Sequence, residues 1–126
     1  MARILIVDDS PTETFAFKSI LEKHGHEVLS AENGADGVAL ARQEQPNLVL
    51  MDIVMPGLNG FQATRQLSKG GETAHIPVII VTTKDQETDR VWGKRQGAKG
   101  YLVKPVEEGL LMTTVNKALS GESLDD

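Results

Sequence analysis

The stretch NLVLMDIVMPG, residues 47–57, decides the fold. Leu48 to Met51 is a continuous rather than alternating apolar run, the pattern of a strand covered on both faces. It ends in a carboxylate, Asp52, with more apolar residues beyond. A lone buried acid is costly: burial raises its pKa or demands a partner. The rest of the chain has to supply the covering layers and the counter-charge.

Outward from that strand, short apolar runs alternate with segments of helical period. RILIV (3–7) and EVLSA (27–31) read as the first two strands, Val78 to Val81 as the fourth, ending in Thr82 and Thr83, and YLV (101–103) as the fifth. Between the first two, Ser10, Pro11 and Glu13 have the spacing of N-cap, N1 and N3 of a capping box. Phe17, Ile20, Leu21 and His24 then fall at i, i+3, i+4 and i+7, and Gly25 is the stop. A small-residue helix is predicted over 35–45, stopped by Pro46, and a short one over 61–68. The fourth helix is predicted from an Asp85 cap to Gln96, and the last from about 107 to 119, with Leu111, Val115, Ala118 and Leu119 on one side. Strand then helix, five times, predicts a parallel sheet with helices on both faces.

At 126 residues the chain has the length of one domain, enough to bury a core unaided. With no cysteine there is no disulfide framework, thiolate metal site or cysteine nucleophile, which fits a cytoplasmic location. The opening MARILIVDDS lacks the parts of a signal peptide, and no run approaches a membrane span. A net charge of -5 without a basic run argues against nucleic acid as partner.

In open α/β sheets the functional crevice lies beyond the carboxyl ends of the strands. This chain places Asp8 and Asp9 after strand one, Asp52 after strand three, Thr82 and Thr83 after strand four, and Lys104 with Pro105 after strand five. Clustered carboxylates repel unless a cation intervenes, and an incomplete all-oxygen shell suits Mg2+. An Asp52 kept ionised in this way can act as a nucleophile toward phosphorus, with Lys104 and Thr82 meeting the charge on the phosphoryl oxygens.

The motifs VDD, MDIVMPGLNG, VTTKD and YLVKP, at these spacings, resemble the receiver domain of two-component response regulators, the CheY-like family, along almost the whole chain. The resemblance implies a flavodoxin-like, doubly wound, five-stranded parallel sheet of order 2-1-3-4-5 with five helices. It implies a receiver over residues 1–121 and no effector domain; the tail over 122–126, short and polar, is expected from its own sequence to fray. By position it makes Asp52 the phosphoacceptor, and Asp8, Asp9, Asp52 and the Val54 backbone carbonyl the ligands of Mg2+, with Mn2+ able to substitute. Asp9 is the direct ligand and Asp8 assists. Thr82 and Lys104 become phosphoryl contacts, Thr82 and Tyr101 a switch pair, and the Lys104–Pro105 bond cis. The chain is then a phosphoacceptor rather than a turnover enzyme. MDIVMPGLNGFQATRQL and VTTKDQETDRVWGKRQGAKGYLVKP further resemble stand-alone receivers of chemotaxis-like systems that control type IV pili and twitching motility. That implies a CheA-type histidine kinase as donor, a motility or pilus protein as target, or a role as phosphate sink for a shared kinase. The protein would be a monomer or weak dimer that touches neither nucleic acid nor membrane.

Simpler readings stand beside these. An Asp8–Asp9 pair alone is a strand end before a cap, Thr82 alone a β-branched strand residue, and Lys104 alone an exposed lysine; their convergence argues otherwise. Tyr101 fits either core filling or a switch, and Trp92 either an interface anchor or packing on the sheet beside Gly93. The three histidines read as solvated or capping. A haloacid-dehalogenase-type phosphatase needs a second carboxylate where Val54 stands, and an FMN carrier would not place Asp8 and Asp9 against a phosphate. Apolar Val54 cannot orient a water, so a phosphoaspartate here is expected to hydrolyse at a slow to intermediate rate.

Overall fold

The computed structural model describes residues 1–124. Its elements, in order, are β1 (Arg3–Val7), α1 (Pro11–Lys23), β2 (Glu27–Ala31), α2 (Gly34–Glu44), β3 (Leu48–Met51), α3 (Gly60–Lys69), β4 (Val78–Thr82), α4 (Glu87–Arg95), β5 (Gly100–Val103) and α5 (Glu108–Ser120). Every strand pair is parallel, and the sheet order is β2-β1-β3-β4-β5, as expected.

Side chains alternate across each strand, so one run feeds two cores. Ile4, Ile6, Leu48, Leu50, Ile79 and Val81 face Phe17 and Leu21 of α1 and Leu111 and Val115 of α5. Leu5, Val7, Val49, Met51 and Val78 face Val38 and Ala41 of α2 and Ala63 and Leu67 of α3. A smaller third cluster, Ile53, Ile80 and Ala98 with Phe61 and Tyr101 against it, lies on the α4 side. Burying each large aliphatic side chain contributes about 1.5–3 kcal/mol, which is why β3 reads as continuous apolar sequence.

Several helix ends differ from the sequence expectation. Ser10 caps α1 by accepting the Glu13 N–H (3.3 Å), but the Glu13 carboxylate does not close the box; it pairs with Lys104 instead. α4 begins after Gln86 with no side-chain cap, so Asp85 is not its N-cap; Glu87 and Asp89 in the first turn face the positive end of the helix dipole. Trp92 is 48% exposed, and it is Gly93 that turns toward the sheet. His26 accepts the Ala2 N–H at Nδ1, while His24 pairs with Glu108. Of the tail expected to fray, Asp125 and Asp126 lie outside the described residues, whereas Leu124 is half-buried against the α1/α5 core.

One close approach fixes the loop after β3. α3 starts at Gly60, capped by a reciprocal Asn59–Gln62 box, and a Cβ at Gly60 would lie 2.0 Å from the Asp52 carbonyl oxygen. Only glycine lets the helix start press on that backbone. Gly60→Ala is expected to lower stability by about 1–3 kcal/mol through the overpacking it forces, read as a fall in thermal unfolding midpoint.

Candidate functional site

Parallel register builds the site. Val7 of β1 lies opposite Met51 of β3, and the Asp52 N–H donates to the Val7 carbonyl (2.9 Å), so Asp8 and Asp52 leave the sheet side by side. On the other flank the Lys104 N–H donates to the Thr82 carbonyl (2.8 Å), which sets β5's exit beside β4's. The Lys104–Pro105 peptide bond is cis.

The side chains converge accordingly. Lys104, only 5% exposed in its side chain, places Nζ 2.8 Å from Asp8 Oδ2 and 3.6 Å from Asp52 Oδ2, and pairs with Glu13. Asp8 and Asp52 are buried and Asp9 is exposed. Asp8 Oδ1 also accepts the Ser10 N–H (2.9 Å), so both of its oxygens are engaged. Asp52 Oδ1 accepts its neighbour Ile53's N–H (2.8 Å). Burial pushes the Asp52 carboxyl pKa up, against the Lys104 charge; Asp8 raises it further, and the Ile53 and Thr82 hydrogen bonds pull it down. For Lys104 burial is the largest single influence and lowers its pKa, but Asp8, Glu13 and Asp52 together outweigh it and leave the pKa raised.

The Asp8, Asp9 and Asp52 carboxylates offer oxygens within 4.8 Å of one another. Against three acids from the strand ends and Glu13 stands one ammonium, and Asp52 is left under-compensated. An all-oxygen set with one open, solvent-facing member fits a hard divalent cation that keeps several waters. The oxygens of Asp8, Asp9 and Asp52 would hold it; when bound, it supplies the positive charge that one lysine cannot.

Thr82 is fully buried, and its hydroxyl accepts the Lys84 N–H (3.4 Å). Tyr101 is half-buried: its hydroxyl donates to the Lys84 carbonyl (2.8 Å), and the Arg90 guanidinium lies 5.1 Å from its ring centroid. Burial first, then Asp89, against Arg90, with Asp85 adding, push its pKa to about 12. The ring therefore belongs neither to the deep core nor to open solvent. Val54, 56% exposed, stands two residues after Asp52 at the start of the loop. Glu13 is the member of this cluster that sequence reasoning missed, because the capping-box spacing already accounted for it.

With this geometry in hand, the comparisons with known proteins are specific. The family model described as the response regulator receiver domain matches residues 4–116. The chain is 74% identical over 121 residues to Protein PilH of Pseudomonas aeruginosa, covering 96% of this chain and 100% of that protein. The chemotaxis protein CheY4 of Vibrio cholerae is similar in structure, with TM-score 0.88 and 29% identity over 94% of this chain and 98% of that one. So is the receiver domain of a sensor histidine kinase from Pseudomonas aeruginosa, solved with a magnesium ion coordinated in its active-site cleft, at TM-score 0.88 and 26% identity over 94% and 98% of the two chains.

The raised Asp52 pKa has a consequence for stability. Because the folded value exceeds the ordinary 3.8, folding favours the protonated form. Ionisation therefore costs nothing below about pH 4 and destabilises increasingly as pH rises through the folded pKa. In metal-free buffer, Asp52→Asn is expected to be more stable than wild type at neutral pH, with the difference disappearing in acid. Denaturant unfolding at several pH values checks it; equal stability at neutral pH would contradict it.

Proposed function

The chain belongs to the response regulator receiver family, and from that premise we propose that Asp52 accepts a phosphoryl group from the phosphohistidine of a histidine kinase. The observation that carries this reading is the Lys104 ammonium held among Asp8, Glu13 and Asp52 at the rim of the sheet. An Asp52 carboxylate oxygen forms the new P–O bond as the donor's P–N bond breaks, and the imidazole leaves with a proton. Lys104 moves its charge toward the phosphoryl oxygens and the Thr82 hydroxyl donates to them; Asp9, Asp52 and the Val54 carbonyl, with Asp8 assisting, would hold Mg2+, which would supply further positive charge to those oxygens.

Phosphorylation replaces the Asp52 carboxylate with an acyl phosphate that carries about -1.5 to -2 of charge and three strong acceptor oxygens beside Lys104 and Thr82. Drawing the Thr82 hydroxyl toward that charge weakens its bond with the Lys84 N–H, and Lys84 is the residue whose carbonyl holds Tyr101. Tyr101 then exchanges its half-buried site for one deeper under α4, and the α4–β5–α5 surface changes. Residues 1–121 are the receiver unit. The chain works in the cytoplasm as a monomer or weak dimer, takes phosphate from a CheA-type kinase, and acts in a chemotaxis-like system controlling type IV pilus twitching, as output or phosphate sink. Likeness to PilH supports that placing.

Acetyl phosphate with Mg2+ is the direct test, read by intact mass or phosphate-affinity gel. One phosphoryl group is expected on wild type, dependent on the metal, and none on Asp52→Asn; undiminished incorporation in the variant would overturn the assignment. The exposed, apolar Val54 leaves an attacking water without a polar partner. The phosphorylated form is therefore expected to outlast seconds, and Val54→Asn or Val54→Glu to shorten its lifetime.

A further inference from the structure

The end of the described chain lies in a groove. Gly121, at φ 80, closes α5: its N–H donates to the Ala118 carbonyl (3.3 Å) and the Glu122 N–H to the Lys117 carbonyl (2.9 Å). This is a Schellman closure, which directs the following residues along a defined path. The path ends with Leu124 against the edge strand β5, where a Cβ on Gly100 would come within 2.9 Å of Leu124 Cδ1. The missing side chain at Gly100 makes the seat.

Leu124 also divides two cavities. One, of about 560 Å3, lies at the amino end of the sheet beside His75 and Gly121; the other, of about 340 Å3, runs between α4 and β5 up to Arg90 and Tyr101. Lys94, Ala98, Lys99 and Leu124 line both, so with Leu124 withdrawn they would join into one groove. On a chain of net charge -5 this groove is locally basic, with Arg90, Lys94 and Lys99 against Glu87. What lies in it is Leu124, and the exposed Glu122, two residues before it, lines the larger cavity together with Lys94 and Lys99.

We propose that the α4–β5 groove is a seat for a leucine-anchored acidic peptide segment, and that Glu122–Leu124 fills it in cis as an intrasteric plug. A partner segment of the same chemistry binds only by displacing Glu122–Leu124. The tether gives the plug a high effective concentration, so a free peptide competes poorly while the plug is intact. Tyr101 and Leu124 both line the smaller cavity, so the ring bonded to the Lys84 carbonyl and the plug border the same space.

The test uses the full chain and a synthetic peptide of residues 119–126, LSGESLDD, titrated into the millimolar range with no phosphoryl donor present, so the outcome is independent of the role of Asp52. In amide NMR spectra of Leu124→Ala, signals from α4 and β5 are expected to move saturably; wild type and Leu124→Met, which keep an apolar anchor, are expected to stay still. Adding Lys99→Glu to Leu124→Ala is expected to weaken binding about fivefold. Native-like spectra of each variant without peptide establish that it is folded. No movement in Leu124→Ala, movement confined to another face, or equal movement in wild type would overturn the proposal.

Discussion

The ammonium of Lys104 is the charge around which the carboxyl edge of the sheet is arranged. It is nearly excluded from solvent, yet Asp8, Glu13 and Asp52 surround it from β1, α1 and β3. An ion cluster of that kind contributes little net stability, because desolvation offsets most of the Coulombic gain. What it does is hold acids together that would otherwise repel, leaving Asp52 with less than its full share of compensation. The residual imbalance leaves this edge short of positive charge, which favours a further cation there.

That arrangement depends on the sheet being parallel. Five strands pointing one way deliver all their carboxyl ends to one rim, and strand order puts β1 and β3 adjacent, with β4 and β5 beside them. Gly60 and the Asn59–Gln62 box then press the start of α3 onto the Asp52 backbone. The acid is thus fixed from below by the sheet and from the side by a helix terminus.

Away from the rim, α4 is the lightly anchored element: Gly93 is its one buried residue. Gly93 packs on Ile80 and near Tyr101, whose hydroxyl is bonded to the Lys84 carbonyl and whose ring lies under the Arg90 guanidinium. A helix held so sparingly, over a groove partly filled by Leu124, can move at little cost in packed area. The ion cluster at the rim and the sparsely packed flank are in this way separate parts of one small core.

By itself the sequence determined the strand–helix alternation, the two-sided burial of β3, and the placing of Asp8, Asp9, Asp52, Thr82 and Lys104 at strand ends. Apolar runs and their breaks are local, and parallel topology turns them into a common edge by rule. Tertiary structure alone decided where Glu13 and Asp85 act, that Trp92 faces outward, and that Leu124 is seated rather than frayed. Glu13 had a sound local partner in the Ser10 cap, and only the arrival of Lys104, 91 residues along the chain, offered its carboxylate a stronger one. Leu124 lies in a polar tail by composition, and only the vacant side chain at Gly100 gives it a place to pack. In both cases local sequence allowed two outcomes, and a contact between residues distant in the chain chose between them.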